Sequence, residues 1–167
     1  MSGQIVKLDD ATMAQLMAGS LPWDDVHFVQ SSYKDPQRFD TYVRVRQSQV
    51  EWREPIILPL SPYLSIVKNA GGVYAVKCLC GHEFGDYLEN WKTNALIHVR
   101  DTEEKLNEIY PGPRCPDPEK NEIREFFCPT CGRQLEVDAV PPGYPILANF
   151  TPNLEAFYSE WLGRALP

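Results

Sequence analysis

The sequence has 167 residues, of which 43% are hydrophobic and 23% charged, a balance typical of one globular domain with short attached arms. Its formal net charge of −7 argues against binding to nucleic acids or anionic membrane surfaces, since both require a basic face. No run approaches the roughly 20 apolar residues that cross a bilayer, and the N-terminus has no signal-peptide pattern, so we expect a cytoplasmic protein.

The first 54 residues are predicted to form an N-terminal helical arm. Apolar residues recur at helical spacing from Asp9 to Gly19, where the glycine is a stop signal. Asp35 and Pro36 predict the N-cap and the first residue of a second helix, which runs to about Gln49. Between these two helices, residues 21–25 are predicted to form a turn-rich linker.

Short strands are predicted from residue 55 onward, because β-favouring runs are separated there by prolines and glycines. These runs cover residues 56–60, 64–67, 73–76 and, later, the alternating stretch 135–140. Residues 71–72 are both glycine and are predicted to form a tight hairpin turn. An insertion over about residues 88–125 is predicted to be helical, with one helix over 88–98 and a second capped by Asp101.

Residues 143–167 are predicted to form a C-terminal arm with one helix, which begins at Thr151 and Pro152. Aromatic residues are plentiful for a chain with fifteen prolines, and they are favoured anchors in protein interfaces. Each of them can equally well fill a small core. The aromatic residues that we expect at an interface are Trp23, Trp52, Tyr144, Tyr158 and Trp161.

Two cysteine pairs indicate the chemistry of the chain. In a reducing compartment, paired cysteines are more often metal ligands than disulfides. Tetrahedral zinc takes four thiolate or imidazole ligands at about 2.0–2.3 Å, and a tight turn presents two thiolates from one short segment. In the second pair, Pro129 fixes the turn and Gly132 lets the backbone curl past the metal. The sequence therefore predicts one structural zinc ion bound by Cys78, Cys80, Cys128 and Cys131.

The same cysteine pairs lead to the predicted fold class, which is α+β. Both pairs adjoin β-favouring runs, as they do in a zinc ribbon. Residues 55–142 are therefore predicted to form a zinc-ribbon-like β core that carries the helical insertion. The N-terminal helical arm (1–54) and the C-terminal helical arm (143–167) flank this core.

Three alternatives stay open at the metal site. His82 can replace Cys78 or Cys80 as a ligand, because the first pair has one intervening residue instead of two. The four thiols can also be buried without a metal. Iron in a rubredoxin-like site takes the same tetrahedral sulfur geometry, so the ligand types do not distinguish it from zinc. Cys115 stands alone before a proline and is expected to be a free cysteine.

We find no catalytic set in the sequence. A zinc ion with four thiolate ligands has no open position for water, which argues for a structural ion. The zinc deaminase signature fails because His82 and Glu83 are adjacent and Phe127 precedes Cys128. No glycine-rich loop has the lysine spacing of a phosphate-binding site.

Several segments resemble the gamma subunit of acetone carboxylase. The two cysteine-containing stretches, 78–84 and 123–132, carry most of this resemblance. Shorter similar stretches are residues 34–39, 56–60, 90–92, 98–102, 108–111 and 157–163. The resemblance covers most of the chain from about Lys34 onward, and the first thirty residues resemble nothing specific. The family includes small subunits of related ATP-dependent ketone carboxylases, acetophenone carboxylase among them.

The resemblance implies a role in converting a ketone and bicarbonate into a 3-oxo acid. ATP hydrolysis, a divalent metal and the carboxylation step would belong to large catalytic subunits in a hetero-oligomer. The small subunit would bind zinc and brace the assembly, and it would supply no catalytic residue. A free-standing metal-ribbon protein, either a rubredoxin-like electron carrier or a zinc adaptor, is the alternative function.

Overall fold

The computed structural model describes residues 5–167, which form short helices and three small sheets. The helices are α1 (Asp10–Ala18), α2 (Trp23–Ser31), α3 (Arg38–Ser48), α4 (Glu103–Asn107) and α5 (Leu154–Ala156). The strands are β1 (Ile5–Val6), β2 (Tyr33–Lys34), β3 (Ile56–Pro59), β4 (Leu64–Lys68), β5 (Tyr74–Cys78), β6 (Glu83–Asp86), β7 (Leu96–Arg100), β8 (Glu122–Phe127) and β9 (Gln134–Val140). This mixture of helices and strands agrees with an α+β class. None of the helices within residues 5–167 is long and apolar enough to cross a membrane.

The N-terminal arm consists of α1, α2 and α3 with the parallel pair β1–β2. Helix α1 forms as predicted, because Asp9 accepts a hydrogen bond from the N–H of Thr12 at its start and Gly19 ends it with φ +68°. Helix α3 begins at Arg38, two residues later than predicted. The carboxylate of Asp35 accepts from the N–H of Gln37 at 3.0 Å, so Asp35 closes a turn before the helix.

The central sheet is antiparallel with the strand order β3-β4-β5-β6. Its hairpin between β4 and β5 turns at the predicted glycines, where Gly72 has φ +79°. Strand β4 is buried on both faces over its first four residues, three of which are apolar. A second antiparallel sheet, with the order β7-β8-β9, follows it in the chain.

The C-terminal arm packs back onto the central sheet and onto α3. Leu154 and Tyr158 are buried against Ile57 and Ile66, and the Tyr158 hydroxyl donates to the carbonyl of Ile57 at 2.8 Å. Helix α5 begins after Asn153, which caps it, and continues as a π-helical turn over Phe157–Trp161. The start predicted at Thr151 and Pro152 is therefore two residues early.

Two predictions of local structure are wrong. The helix expected over residues 88–98 is a 3-10 turn, Trp91–Asn94, followed by strand β7. All five residues of β7 pair with β8, so strand pairing overrides the helical spacing of this stretch. The linker expected at residues 21–25 instead contains the start of helix α2. Asp24 and Asp25 lie in the first turn of α2, where the helix dipole favours negative charge.

Smaller differences concern a helix cap and an interface residue. Helix α4 is capped by Thr102 instead of Asp101, because the Thr102 hydroxyl accepts from the N–H of Lys105. Asp101 instead forms an ion pair with the Lys105 ammonium at 2.6 Å. Tyr158, which was expected at an interface, belongs to the core and is 3% exposed.

Candidate metal centre

The first cysteine pair lies in the turn between β5 and β6. Cys78 is the last residue of β5, and Cys80 follows in the turn. The N–H of Cys78 donates to the carbonyl of His82, and the N–H of Gly81 donates to the carbonyl of Cys78. Gly81 has φ +96°, a conformation that only glycine adopts readily. Because the backbone turns so tightly, the sulfurs of Cys78 and Cys80 lie on the same side although only one residue separates them.

The second cysteine pair occupies the corresponding turn between β8 and β9. The N–H of Cys128 donates to the carbonyl of Arg133, and the N–H of Gly132 donates to the carbonyl of Cys128. Gly132 has φ +66°, as predicted for a glycine that lets the backbone curl past the metal. Each sheet therefore contributes one turn with two cysteines.

The four cysteines of these turns form one cluster, in which all sulfur atoms lie within 4.8 Å of one another. The Sγ atoms of Cys78 and Cys131 are 4.0 Å apart, and those of Cys80 and Cys128 are 3.6 Å apart. A regular tetrahedron with Zn–S bonds of about 2.3 Å has S–S edges of about 3.8 Å. A disulfide would require about 2.05 Å, and all five cysteines of the chain are free. This four-cysteine cluster can hold a metal ion.

The cluster spans the boundary between the core and the surface. Cys78 and Cys128 are fully buried and pack with Leu64, Val76 and Phe84. Cys80 and Cys131 are exposed. The inner sulfurs belong to different sheets, so a bound metal would cross-link the sheets inside a shared apolar core.

The pKa values of three cluster thiols depart from their ordinary values. Burial raises the pKa of Cys78 well above its ordinary value, and burial also raises the pKa of Cys80. Burial opposes ionisation of Cys131 as well, but hydrogen bonds from the Arg133 N–H and from the other thiols outweigh it and lower the pKa of Cys131. Without a cation, the Cys78 and Cys80 thiols therefore hold their protons, and a metal would have to displace them.

The other two candidate ligands lie outside the cluster. The Nδ1 atom of His82 is 2.9 Å from the Thr130 hydroxyl, and the His82 ring packs edge-on against Phe84. Among residues 5–167, no imidazole nitrogen belongs to the group formed by the four sulfurs. The Cys115 thiol contacts the carbonyl of Glu103 at 3.8 Å and is not among the four grouped sulfurs.

A buried ion cluster that was not predicted from the sequence surrounds Lys92. This side chain is completely buried, and its ammonium donates to both oxygens of Asp138 and to Asn149 Oδ1 at 2.7 Å. The ammonium also lies 5.0 Å from the centre of the Phe126 ring. The alternation of β9 places Asp138 and Glu136 on one face, but no local pattern links them to a lysine that lies 46 residues before Asp138.

Comparison with known proteins identifies the family. The family model for the acetone carboxylase gamma subunit matches residues 50–162. The chain is 45% identical over 156 residues to the acetone carboxylase gamma subunit of Xanthobacter autotrophicus strain Py2, and the match covers 93% of each protein. It is 32% identical over 79 residues to the acetophenone carboxylase beta subunit of Aromatoleum aromaticum strain EbN1, across 46% of this chain and 61% of that relative. The chain therefore belongs to the acetone carboxylase gamma subunit family, as its cysteine-containing stretches predicted.

Proposed function

We propose that this chain is the small, non-catalytic subunit of an ATP-dependent ketone carboxylase, in which it binds one structural zinc ion and braces the large subunits. The complex would convert a ketone of the acetone or acetophenone type and bicarbonate into a 3-oxo acid. The two relatives support this assignment, because both are named as subunits of such carboxylases. ATP and a divalent metal would be bound by the partner subunits.

The closed geometry of the four-cysteine cluster is the observation that carries the structural role. Four sulfurs at tetrahedral spacing satisfy the usual coordination of zinc and leave no position for water, ketone or phosphate. Catalytic zinc sites keep one position open. Zinc bound by Cys78, Cys80, Cys128 and Cys131 would therefore act by holding the two sheets together.

The fully buried sulfurs support the same role. Zinc would supply folding free energy at a point where the sheets share apolar contacts between Phe84, Trp91 and Phe126. The chain itself fixes the thiolates through the backbone hydrogen bonds of the two turns. A rigid junction of this kind suits a subunit that braces larger partners.

Purification from native cells tests the proposal. The chain would be isolated at low detergent and moderate salt, with metal analysis and identification of the co-purified subunits on one sample. We expect about one zinc per chain, as in structural four-thiolate sites, together with large ATP-using subunits. A metal-bound chain that elutes alone would contradict the carboxylase assignment, and visible absorption by an iron–thiolate site would contradict zinc.

A further inference from the structure

An apolar groove runs between the N-terminal and C-terminal arms. Its wider part, about 590 Å³, is lined by α1, α3 and the π-helical turn, with Met13, Phe39 and Trp161 among the lining residues. A second part, about 470 Å³, shares Phe39, Tyr42 and Phe157 with the first and continues to β3. Together they form one open trough, at whose edge Trp161 is 79% exposed. We call this surface the arm trough.

Two cations and one carboxylate line the arm trough, although the chain as a whole has a net charge of −7. Lys34 and Arg38 line it, and neither forms an ion pair within residues 5–167. Within the part of the chain that the structure describes, the Lys34 ammonium donates only to backbone carbonyls at the end of α2 and in the turn after it. Asp35 also lines the trough, but its carboxylate accepts from the N–H of Gln37.

Arg46, on the same helix, has an unusual environment. Arg46 is buried, with 6% of the residue exposed, and its Nε atom has no hydrogen-bond partner within residues 5–167. The other buried or nearly buried cations each pair with a carboxylate: Lys77, Lys92, Arg100 and Arg124. No such pair forms at Arg46 in the described part of the chain. A buried charge without a counter-ion is unfavourable, so a missing carboxylate is indicated.

Tyr42 lies between the Arg46 guanidinium and the arm trough. Arg46 Nη2 donates to the Tyr42 hydroxyl oxygen at 2.9 Å, and the Tyr42 ring lines both parts of the trough. The Tyr42 hydroxyl can in addition donate a hydrogen bond to an acceptor that is bound in the trough. A carboxylate there would accept from Tyr42 and would lie close to Arg46 and Arg38.

We infer that the arm trough binds an apolar segment of a large partner subunit. A carboxylate on this segment accepts a hydrogen bond from the Tyr42 hydroxyl and compensates the positive charge of Arg46. This inference rests on the proposed function for the existence of that subunit. Charge complementarity identifies the occupant as acidic and apolar. A second copy of this chain is a poorer fit because both copies carry a net charge of −7, which opposes their association.

The assembled complex provides the test. The small subunit would be co-expressed with its large subunits, and the affinity between them would be measured at two salt concentrations. We expect Arg38→Glu and Tyr42→Phe each to weaken assembly by about tenfold or more. The matched control is Arg114→Glu, which reverses an exposed, unpaired charge outside the trough and should change the affinity by less than about twofold.

Arg46→Met gives a result that a loss of folding cannot mimic. It removes an uncompensated buried charge, so the isolated chain should be at least as thermostable as wild type. Its assembly with the large subunits should nevertheless weaken by about tenfold, because the docked carboxylate loses its cation. An Arg46→Met chain that is unstable alone, or one that assembles like wild type, would overturn the inference.

A photo-crosslinker in place of Trp161 identifies the occupant directly. We expect a crosslink to a peptide of a large subunit that contains an aspartate or glutamate among apolar residues. A crosslink to helix α2 of a second copy, or an unchanged affinity in Arg38→Glu while the wild-type complex forms, would overturn the trough assignment and leave the proposed function intact. If wild type forms no complex with large subunits, both proposals fail.

Discussion

Cys128 and Cys131 belong to the same turn but differ in surroundings, since Cys128 is fully buried and Cys131 is exposed. Both would be zinc ligands, so replacing either removes one bond to the metal. Only Cys128→Ser also places a hydroxyl in an apolar cluster with Leu64 and Phe84. The consequences of the two substitutions should therefore differ in size.

We expect Cys128→Ser to lower the free energy of unfolding by more than about 4 kcal/mol, the range reached when a structural metal is lost. Chemical denaturation of the isolated chain, with zinc analysis of the same sample, measures this effect. Cys115→Ser serves as the control, because Cys115 lies outside the cluster, and it should keep its zinc and change stability by about 0.5 kcal/mol or less. Equal stability of the two variants would contradict a metal-bound cluster.

The affinity for zinc should increase with pH. Because burial raises the pKa of Cys78 and Cys80, these thiols keep their protons at neutral pH in the metal-free chain, whereas zinc binds the thiolates. Binding therefore releases protons, and the affinity should rise about tenfold per pH unit for each proton released. Competition with a zinc chelator between pH 6 and 8 measures the slope. An affinity that is independent of pH would show that the thiols are already ionised without metal.

At the scale of the elements, the sequence pattern located four of the nine strands in residues 5–167. The runs at residues 56–60, 64–67, 73–76 and 135–140 correspond to β3, β4, β5 and β9, because prolines and glycines delimit them. Strand β7 was missed since its five residues also fit a helical pattern. Only their pairing with β8, which lies more than twenty residues later, decides the conformation. The division of the chain after residues 54 and 142 stays a prediction.

The cysteine turns show why the candidate site was more predictable than the surrounding fold. The spacing of the cysteines and the glycines beside them are local signals. Cys78 could therefore be paired with Cys80, and Cys128 with Cys131, from the sequence alone. Lys92 and Asp138 carry no comparable signal, because their contact depends on how the 3-10 turn packs against β9. The buried Arg46 was missed for the same reason.

The Lys92 ion cluster holds the 3-10 turn against β9 and the C-terminal connection. We expect Lys92→Met to destabilise the chain by about 3–5 kcal/mol, because it leaves Asp138 and Glu136 without their buried cation. Thermal unfolding compared with chemical denaturation checks this value. Lys120→Met removes an exposed lysine and should cost less than about 1 kcal/mol. A Lys92→Met variant with wild-type stability would contradict the importance of this cluster.

At the scale of the whole molecule, the structure consists of two antiparallel sheets joined at the four-cysteine cluster, with arms at both chain ends. The arms pack on each other, as the ion pair between Asp40 and Arg164 and the contact of Phe39 with Phe157 illustrate. The arm surface nevertheless leaves Trp23, Phe28 and Trp161 exposed. Such exposed aromatic residues are typical of a chain that covers a partner.

If the four-cysteine cluster holds the proposed zinc ion, removal of this ion should separate the two sheets and release the chain from its complex. A strong chelator at neutral pH should abolish the near-ultraviolet circular dichroism of the aromatic contacts around Trp91, which lie at the junction. Gel filtration of the same sample should then show a free small subunit. A complex that stays assembled without zinc would contradict the bracing role.

Turnover of the assembled complex tests the central claim most directly. Complexes that contain wild-type or Cys131→Ser small subunit would be purified in assembled form, and zinc content and ATP-dependent ketone carboxylation would be measured for each. If zinc is structural, the variant should give a lower yield of complex, with turnover per assembled complex within about twofold of wild type. A fully assembled, zinc-loaded variant with slow carboxylation would contradict this account and would place the metal in the chemistry.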